Sequence, residues 1–185
     1  MAAVKSSLAL LIISALSALF LSGVHTITRA PIEQQRLMYE NAAIAEILPG
    51  VTETRQMEAG AGIVTGAVSG YNAGGVLIGY VVSASARGYS GPVGIIAGFD
   101  TRGTLTGVRV VMQSETPGLG SLIQEPVFLS QFEGLSGPFQ VTRARGGSRP
   151  DEIETLASAT ISTNAVVIGV NAAIEYINEH ISRGP

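Results

Sequence analysis

The sequence contains no cysteine, two histidines, and eleven lysines and arginines in 185 residues. The lack of cysteine excludes iron–sulfur clusters, thiolate zinc sites, disulfides and thiol nucleophiles. His25 and His180 lie far apart in sequence, so neither an axial haem pair nor a histidine-rich metal site is expected, and no metal ligand is assigned. A net charge of −3, with five tyrosines and five phenylalanines, provides no basic footprint and few rings for stacking bases. Nucleic acid is therefore not expected as a partner. No triad or acid/base pair is visible, and no catalytic residue is expected. Any redox chemistry in this chain must use an organic cofactor.

One long apolar run stands out. From Ser6 to Val24, nineteen residues carry no charge, and as a helix they would reach about 28 Å, enough to cross a bilayer. The expectation is a single retained transmembrane helix at residues 6–24, preceded by a short tail at 1–5, with the lipid bilayer of the inner or plasma membrane as its surroundings. A cleaved signal peptide has the same order of parts. Its cleavage signal is poor here, because the small pair Ala15/Ser17 lies inside the apolar run and Thr28 and Ala30 are followed by Pro31. Charge does not set the orientation, since Lys5 on one side faces His25, Arg29 and Arg36 on the other. The span has no ion-binding polar residue, so it is not expected to form an ion path.

Beyond the span, residues 25–50 read as a connecting helix, clearest from Ala30 to Leu48. Pro31 suits a first turn, and Pro49-Gly50 closes the helix. Residues 51–185 then form one domain, and the 135 residues are enough for a single core. Short apolar runs at Val76–Ser83, Val93–Phe99 and Val108–Met112, broken by glycine, read as strands. The turn Asp100-Thr101-Arg102-Gly103 predicts that its two flanking strands pair antiparallel. Gln124–Gln131 reads as a short helix, Phe139–Ala144 as a strand and Gly146–Pro150 as a loop. The last element is a helix whose stripe Val167, Val170, Ile174, Ile177 and Ile181 faces the core, with Asn171, Glu175, Asn178 and Glu179 opposite. The fold class is α+β, with a mostly antiparallel sheet and a packed C-terminal helix.

Small and hydroxylated residues from Thr155 to Asn164 stand directly before that helix. A helix N-terminus presents unpaired N–H groups and the positive end of its dipole, which suits a phosphate. Serine and threonine at this place are also ordinary N-caps, and local pattern leaves both readings open. Glu115-Thr116-Pro117-Gly118-Leu119-Gly120 is equally open between a Pro-Gly turn and a ring-binding loop. In the second reading, Gly118 and Gly120 permit close approach and positive φ, Thr116 supplies a hydroxyl and Leu119 an apolar contact. Glu115 is expected to orient structure, by neutralising a backbone nest or an arginine, rather than to transfer protons.

Three segments carry a family resemblance. Glu154-Thr155-Leu156-Ala157-Ser158-Ala159-Thr160 is similar to the flavinylation motif of FMN-binding domains, with Thr160 on the modified threonine. It departs from that motif at Glu154 for Asp, Ala157 for Ser or Thr, and Ser158 for Gly. Glu115 to Gly120 resembles the Glu-Thr-Pro-Gly-Leu-Gly signature of the G subunit of Rnf complexes and the C subunit of sodium-pumping quinone reductases. Arg87-Gly88-Tyr89-Ser90-Gly91-Pro92 resembles the Gly-Tyr-x-Gly turn of the same domain. Residues 27–32 and Leu48-Pro49-Gly50 also look like that family.

The resemblance implies FMN bound covalently through a phosphoester to Thr160, with Glu115, Thr116, Gly118, Leu119, Gly120, Ser158 and Ala159 around it. It implies maturation by a flavin transferase that uses FAD, and membrane and redox partners within an Rnf-type complex coupling ferredoxin and NAD electron transfer to Na⁺ or H⁺ transport. It also implies that the FMN domain lies on the periplasmic or extracellular side. A quinone-reductase C subunit, or a membrane-anchored interaction domain that has lost its flavin, are the alternatives. Tyr89 is either a ring-stacking residue or a rim or core aromatic. Arg87, Arg143 and Arg145 are candidates to hold a phosphate or a partner.

Overall fold

The computed structural model describes residues 2–58, 62–143 and 149–183. The chain divides into two compact units, Met1–Tyr39 and Glu40–Pro185. The first is made by helix α1, Ala2–Ile47, whose last turns belong to the second unit. The backbone stays helical through Pro31, so the membrane run and the connecting segment expected as two helices are one. The apolar window of α1 is Leu10–Arg29, with a mean hydropathy of 2.0 and none of it buried.

The second unit is built on a five-stranded antiparallel sheet in the order β1-β2-β3-β4-β5, comprising Glu53–Gln56, Val64–Tyr71, Leu77–Arg87, Pro92–Asp100 and Leu105–Met112. The expected turn at Asp100 joins β4 to β5. There the Asp100 carboxylate accepts the Arg102 and Thr104 N–H groups, each at 2.9 Å. Pairing of Gly98 with Gly107 and Ala97 with Val108 confirms the antiparallel register. After β5 the chain makes a 3-10 turn, the short helix α2 at Pro126–Leu129 and a second 3-10 turn, in place of the one helix expected over Gln124–Gln131. The strand expected over Phe139–Ala144 is β6, Gln140–Thr142. Ala144, with most of the expected Gly146–Pro150 loop, lies outside the described residues. β6 pairs in parallel with β7, Glu152–Glu154, and α3 covers Thr160–Arg183.

Alternation along the strands divides the apolar residues between two faces. One face packs Val82, Ala84, Ile95, Ala97, Phe99 and Val108 against Val166, Val170, Ala173 and Ile177 of α3. The predicted stripe is therefore the core face of α3, with Ile181 only partly buried at its end. The other face carries Val81 and Ile96 and is covered by Ile47 and Leu48 from the end of α1. That close cover requires absent side chains. A Cβ on Gly107 would stand 3.1 Å from Ile47, and one on Gly98 the same distance from it. Ile47 and Leu48 are 2% and 3% exposed, so the last turn of α1 is an integral part of this domain.

Candidate functional site

The loop that follows β5 and the segment that opens α3 meet in an open cleft of about 470 Å³, lined by Tyr89, Glu115, Thr116, Leu119, Gly120 and residues 158–162. Seven of the eight residues singled out from the sequence line it. Gly118 does not. With φ at 75° it sets the turn instead, and its N–H donates to the Ser121 hydroxyl at 3.0 Å. Gly120 has no positive φ. The reason for its glycine is space, because a Cβ there would lie 2.7 Å from Ser162 Oγ and 2.8 Å from the Glu115 carboxylate.

Thr160 is the first helical residue of α3. The first bond of that helix runs from the Thr163 N–H to the Ala159 carbonyl at 2.9 Å, which makes Ala159 the capping residue. Alanine brings no side-chain oxygen to the cap, and Thr160 stands one position too late to be it. The capping role that local pattern left open for Thr160 is thereby removed. By helix geometry the N–H groups of Thr160, Ile161 and Ser162 have no acceptor within α3. The segment before the cap is pinned from behind, since the fully buried Thr163 hydroxyl accepts the Leu156 N–H at 3.3 Å.

Glu115 is 5% exposed. Its Oε1 accepts the Ser90 N–H at 3.0 Å, and its Oε2 accepts the Ser162 hydroxyl at 2.5 Å. It meets a backbone N–H and a hydroxyl and not an arginine. Tyr89, 72% exposed, stands at the rim together with Leu119 and Ile161, 45% and 52% exposed. The arginines expected at a phosphate are elsewhere. Arg87 lines a neighbouring surface pocket behind the Tyr89 turn, Arg143 is exposed at the end of β6, and Arg145 lies outside the described residues. Among the described residues, no lysine or arginine lines the cleft. An anion here would be met by the α3 N-terminus.

Size does not single out this cleft. Open grooves of about 610 and 590 Å³ lie along Pro138, Ile174 and Asn178 and between α2 and β7. Chemistry does single it out, because a hydroxyl at a helix N-terminus, an apolar rim and a built-in carboxylate occur together. Glu154, the acidic residue of the motif, lines the groove beside α2 and not the cleft of Thr160. Sequence reasoning missed Ser90 and Ser162, whose partner is distant in the chain. It also missed Ile161, which carries no local signal.

A family model described as FMN-binding domain matches residues 88–175, a stretch that includes the whole cleft. Over 181 residues the chain is 32% identical to the G subunit of the ion-translocating oxidoreductase complex of Methanosarcina acetivorans, covering 94% of each chain. It belongs to this family of G subunits. The G subunit of the Na⁺-translocating ferredoxin:NAD⁺ oxidoreductase complex of Acetobacterium woodii is 27% identical, over 92% of this chain and 89% of the relative. Among solved structures, the C subunit of the Na⁺-translocating NADH-quinone reductase of Parabacteroides distasonis superposes with a TM-score of 0.50 at 28% identity, over 60% of each chain. The match to the Methanosarcina relative runs nearly end to end, whereas the likeness to the quinone-reductase protein is confined to 60%.

The residues present fit a flavin mononucleotide. The cleft lies within the roughly 300–1,000 Å³ range of small-molecule sites. Its polar floor is a helix N-terminus, and its mouth is apolar.

Proposed function

We propose that this chain is the FMN-bearing, electron-transferring G subunit of an ion-translocating oxidoreductase complex, its flavin held by a phosphoester on Thr160. FMN, when bound, supplies the redox chemistry. The observation that carries the reading is the position of Thr160. Its hydroxyl side chain is the first of α3, lines the cleft, and has no capping duty.

The chain's own contribution is placement. Thr160 would hold the FMN through its hydroxyl oxygen, which on a flavin transferase would replace the AMP oxygen at the FMN-side phosphorus of FAD. AMP would leave with the bridging oxygen, and the hydroxyl proton would pass to the transferase. The N–H groups of the first turn would then hold the phosphate, with the α3 dipole contributing about 0.3–1 kcal/mol. Tyr89, Leu119 and Ile161 offer the ring an apolar rim open to partner proteins. A tethered carrier needs neither acid nor base, in keeping with a cleft whose carboxylate has both oxygens hydrogen-bonded within the protein.

On this reading the apolar run of α1 is the single membrane span, and the unit Glu40–Pro185 carries the FMN site on the periplasmic or extracellular side. The partners are the membrane and redox subunits of an Rnf-type complex, which in the Acetobacterium relative is a ferredoxin:NAD⁺ oxidoreductase that translocates Na⁺. Coverage of 94% favours the ion-translocating oxidoreductase over the quinone reductase as the parent complex.

The test is co-expression of the full chain with a flavin transferase and inspection of the denatured band for flavin fluorescence. The wild-type band should glow and Thr160→Ala should be dark. A dark wild type would favour the flavin-free interaction domain. Because the chain has no cysteine, Ser182→Cys offers a single label site. A membrane-impermeant maleimide should reach it from outside intact cells.

A further inference from the structure

Glu115 has no redox task, yet its carboxylate is the most elaborately held group in the cleft. Ser90 belongs to the turn between β3 and β4, Ser162 to the first turn of α3, and Glu115 to the loop after β5. One carboxylate therefore ties three segments together, reaching Ser90 through Oε1 at 3.0 Å and Ser162 through Oε2 at 2.5 Å. Its own N–H is fixed by Gln113 Oε1 at 2.7 Å. The space around it is also kept clear. A Cβ on Gly88 would lie 2.5 Å from Oε1, and one on Gly120 would lie 2.8 Å from Oε2.

A carboxylate beside a helix N-terminus ordinarily takes the first-turn N–H groups for itself. Here Oε1 is engaged by Ser90 and Oε2 by the Ser162 side chain. The N–H groups of Thr160 and Ile161 are left for another acceptor. Ser162 is itself 2% exposed, so the brace is shielded from water, where a charge-assisted hydrogen bond holds geometry most strongly.

We infer that Glu115 is a positioning residue for flavin attachment. Through Ser162 it fixes the first turn of α3, and with it the Thr160 hydroxyl, against the walls formed by residues 88–91 and 115–120. This inference rests on the reading that Thr160 carries the flavin.

The experiment uses the full chain in detergent, incubated with a flavin transferase and FAD. It follows fluorescence of the denatured band over time, and amide hydrogen exchange of the flavin-free chain. Glu115→Ala and Ser162→Ala should each slow incorporation about tenfold, the size of one lost hydrogen bond to a charged group. Glu115→Gln should stay within about threefold of wild type, because its amide oxygen accepts from Ser90 and its NH₂ donates to Ser162 Oγ. In the flavin-free chain, Glu115→Ala should speed exchange at Ser90 and at Thr163, whose N–H makes the first bond of α3, and leave β3 unchanged.

Incorporation by Glu115→Ala at the wild-type rate overturns the inference, as does a loss in Glu115→Gln as large as in Glu115→Ala. Should Glu115→Ala not fold, Ser162→Ala decides, since it removes a single hydroxyl, and loading at the wild-type rate overturns the brace. A dark wild type, or a fluorescent Thr160→Ala, instead sinks the flavin reading. The two failures are thereby told apart.

Discussion

Arg109, in the fifth strand, donates to the carboxylate of Glu46 in the last turn of α1, two residues whose positions differ by 63 in the chain. The same guanidinium donates to the Val108 carbonyl at 2.8 Å, so its direction is set by the strand. The hydrogen bond from Arg109 holds the Glu46 carboxyl below the ordinary glutamate range of 4.5, with slight burial opposing it. A depressed folded-state value means that the pair's stabilisation is complete above that range and is lost as pH falls through the folded value. The side chains are 25% and 59% exposed, so water screens much of the attraction. Glu46→Gln should cost about 0.5–1 kcal/mol at neutral pH, and the difference from wild type should shrink as the pH falls below the ordinary glutamate range. Thermal melts of the full chain in detergent across that range would measure it. A difference that persists at the acid end argues against the pair.

Two strand glycines separate crowding from freedom. A Cβ on Gly79 would stand 2.1 Å from the Phe99 carbonyl oxygen and 2.8 Å from a methyl of Leu48, whereas one on Gly66 meets nothing within 4 Å. Gly79→Ala must push strand backbone and the seated Leu48 apart, and should cost about 3 kcal/mol or more. Gly66→Ala should be neutral or stabilise by about 0.5 kcal/mol, through a smaller unfolded-state entropy. Urea midpoints of the two variants give the comparison. Equal destabilisation would mean that the packing under Leu48 is not what keeps Gly79.

How legible these relationships were in sequence depended on their range. The stripe of α3 and the hairpin at Asp100 are local patterns of period and turn chemistry, and both stand in the fold as read. β1 was invisible because it is a fully exposed edge strand, Glu-Thr-Arg-Gln, with no alternation to detect. β2 was hidden by its glycines and serine and by register shifts near Val64 and Gly70. The cleft residues of the two motifs were legible through family resemblance, since the physics of a Pro-Gly turn or a serine-rich approach is generic. The brace on Glu115 was not, because Ser162 and Ser90 stand 47 and 25 positions from it.

Ser158 occupies a conformation that suits glycine. Its φ of 64° makes it the one non-glycine residue with positive φ among those described, and the related motif usually has glycine at this place. A left-handed backbone costs an L-residue about 1–2 kcal/mol. Ser158→Gly should recover part of that, about 0.5 kcal/mol after glycine's own entropy. It should also accelerate flavin incorporation, because the segment leading to Thr160 then needs no strain to enter the transferase. Melting temperature and gel fluorescence read the two effects separately. A slower incorporation would show that the exposed Ser158 hydroxyl is itself a contact in the loading step.

Asn171 lies on the side of α3 that the sequence assigned to polar, outward residues, yet it is partly buried and clamps a single peptide unit. Its Oδ1 accepts the Phe139 N–H at 2.8 Å, and its Nδ2 donates to the Phe139 carbonyl at 2.9 Å. Phe139 is 3% exposed and meets the ring of Phe132 edge-on at 5.3 Å, so the clamp delivers an aromatic side chain into the core. Asn171→Ala leaves both backbone groups unpaired and should cost about 2–3 kcal/mol. Asn171→Asp keeps the acceptor for the N–H but sets a carboxylate against the Phe139 carbonyl, so at neutral pH it should be at least as destabilising. Protonation restores a donor, so Asn171→Asp should recover toward wild type in acid while Asn171→Ala should not. Denaturant titrations of both variants at neutral and acid pH would reveal that crossover, and its absence would mean that the two hydrogen bonds do not act as a clamp.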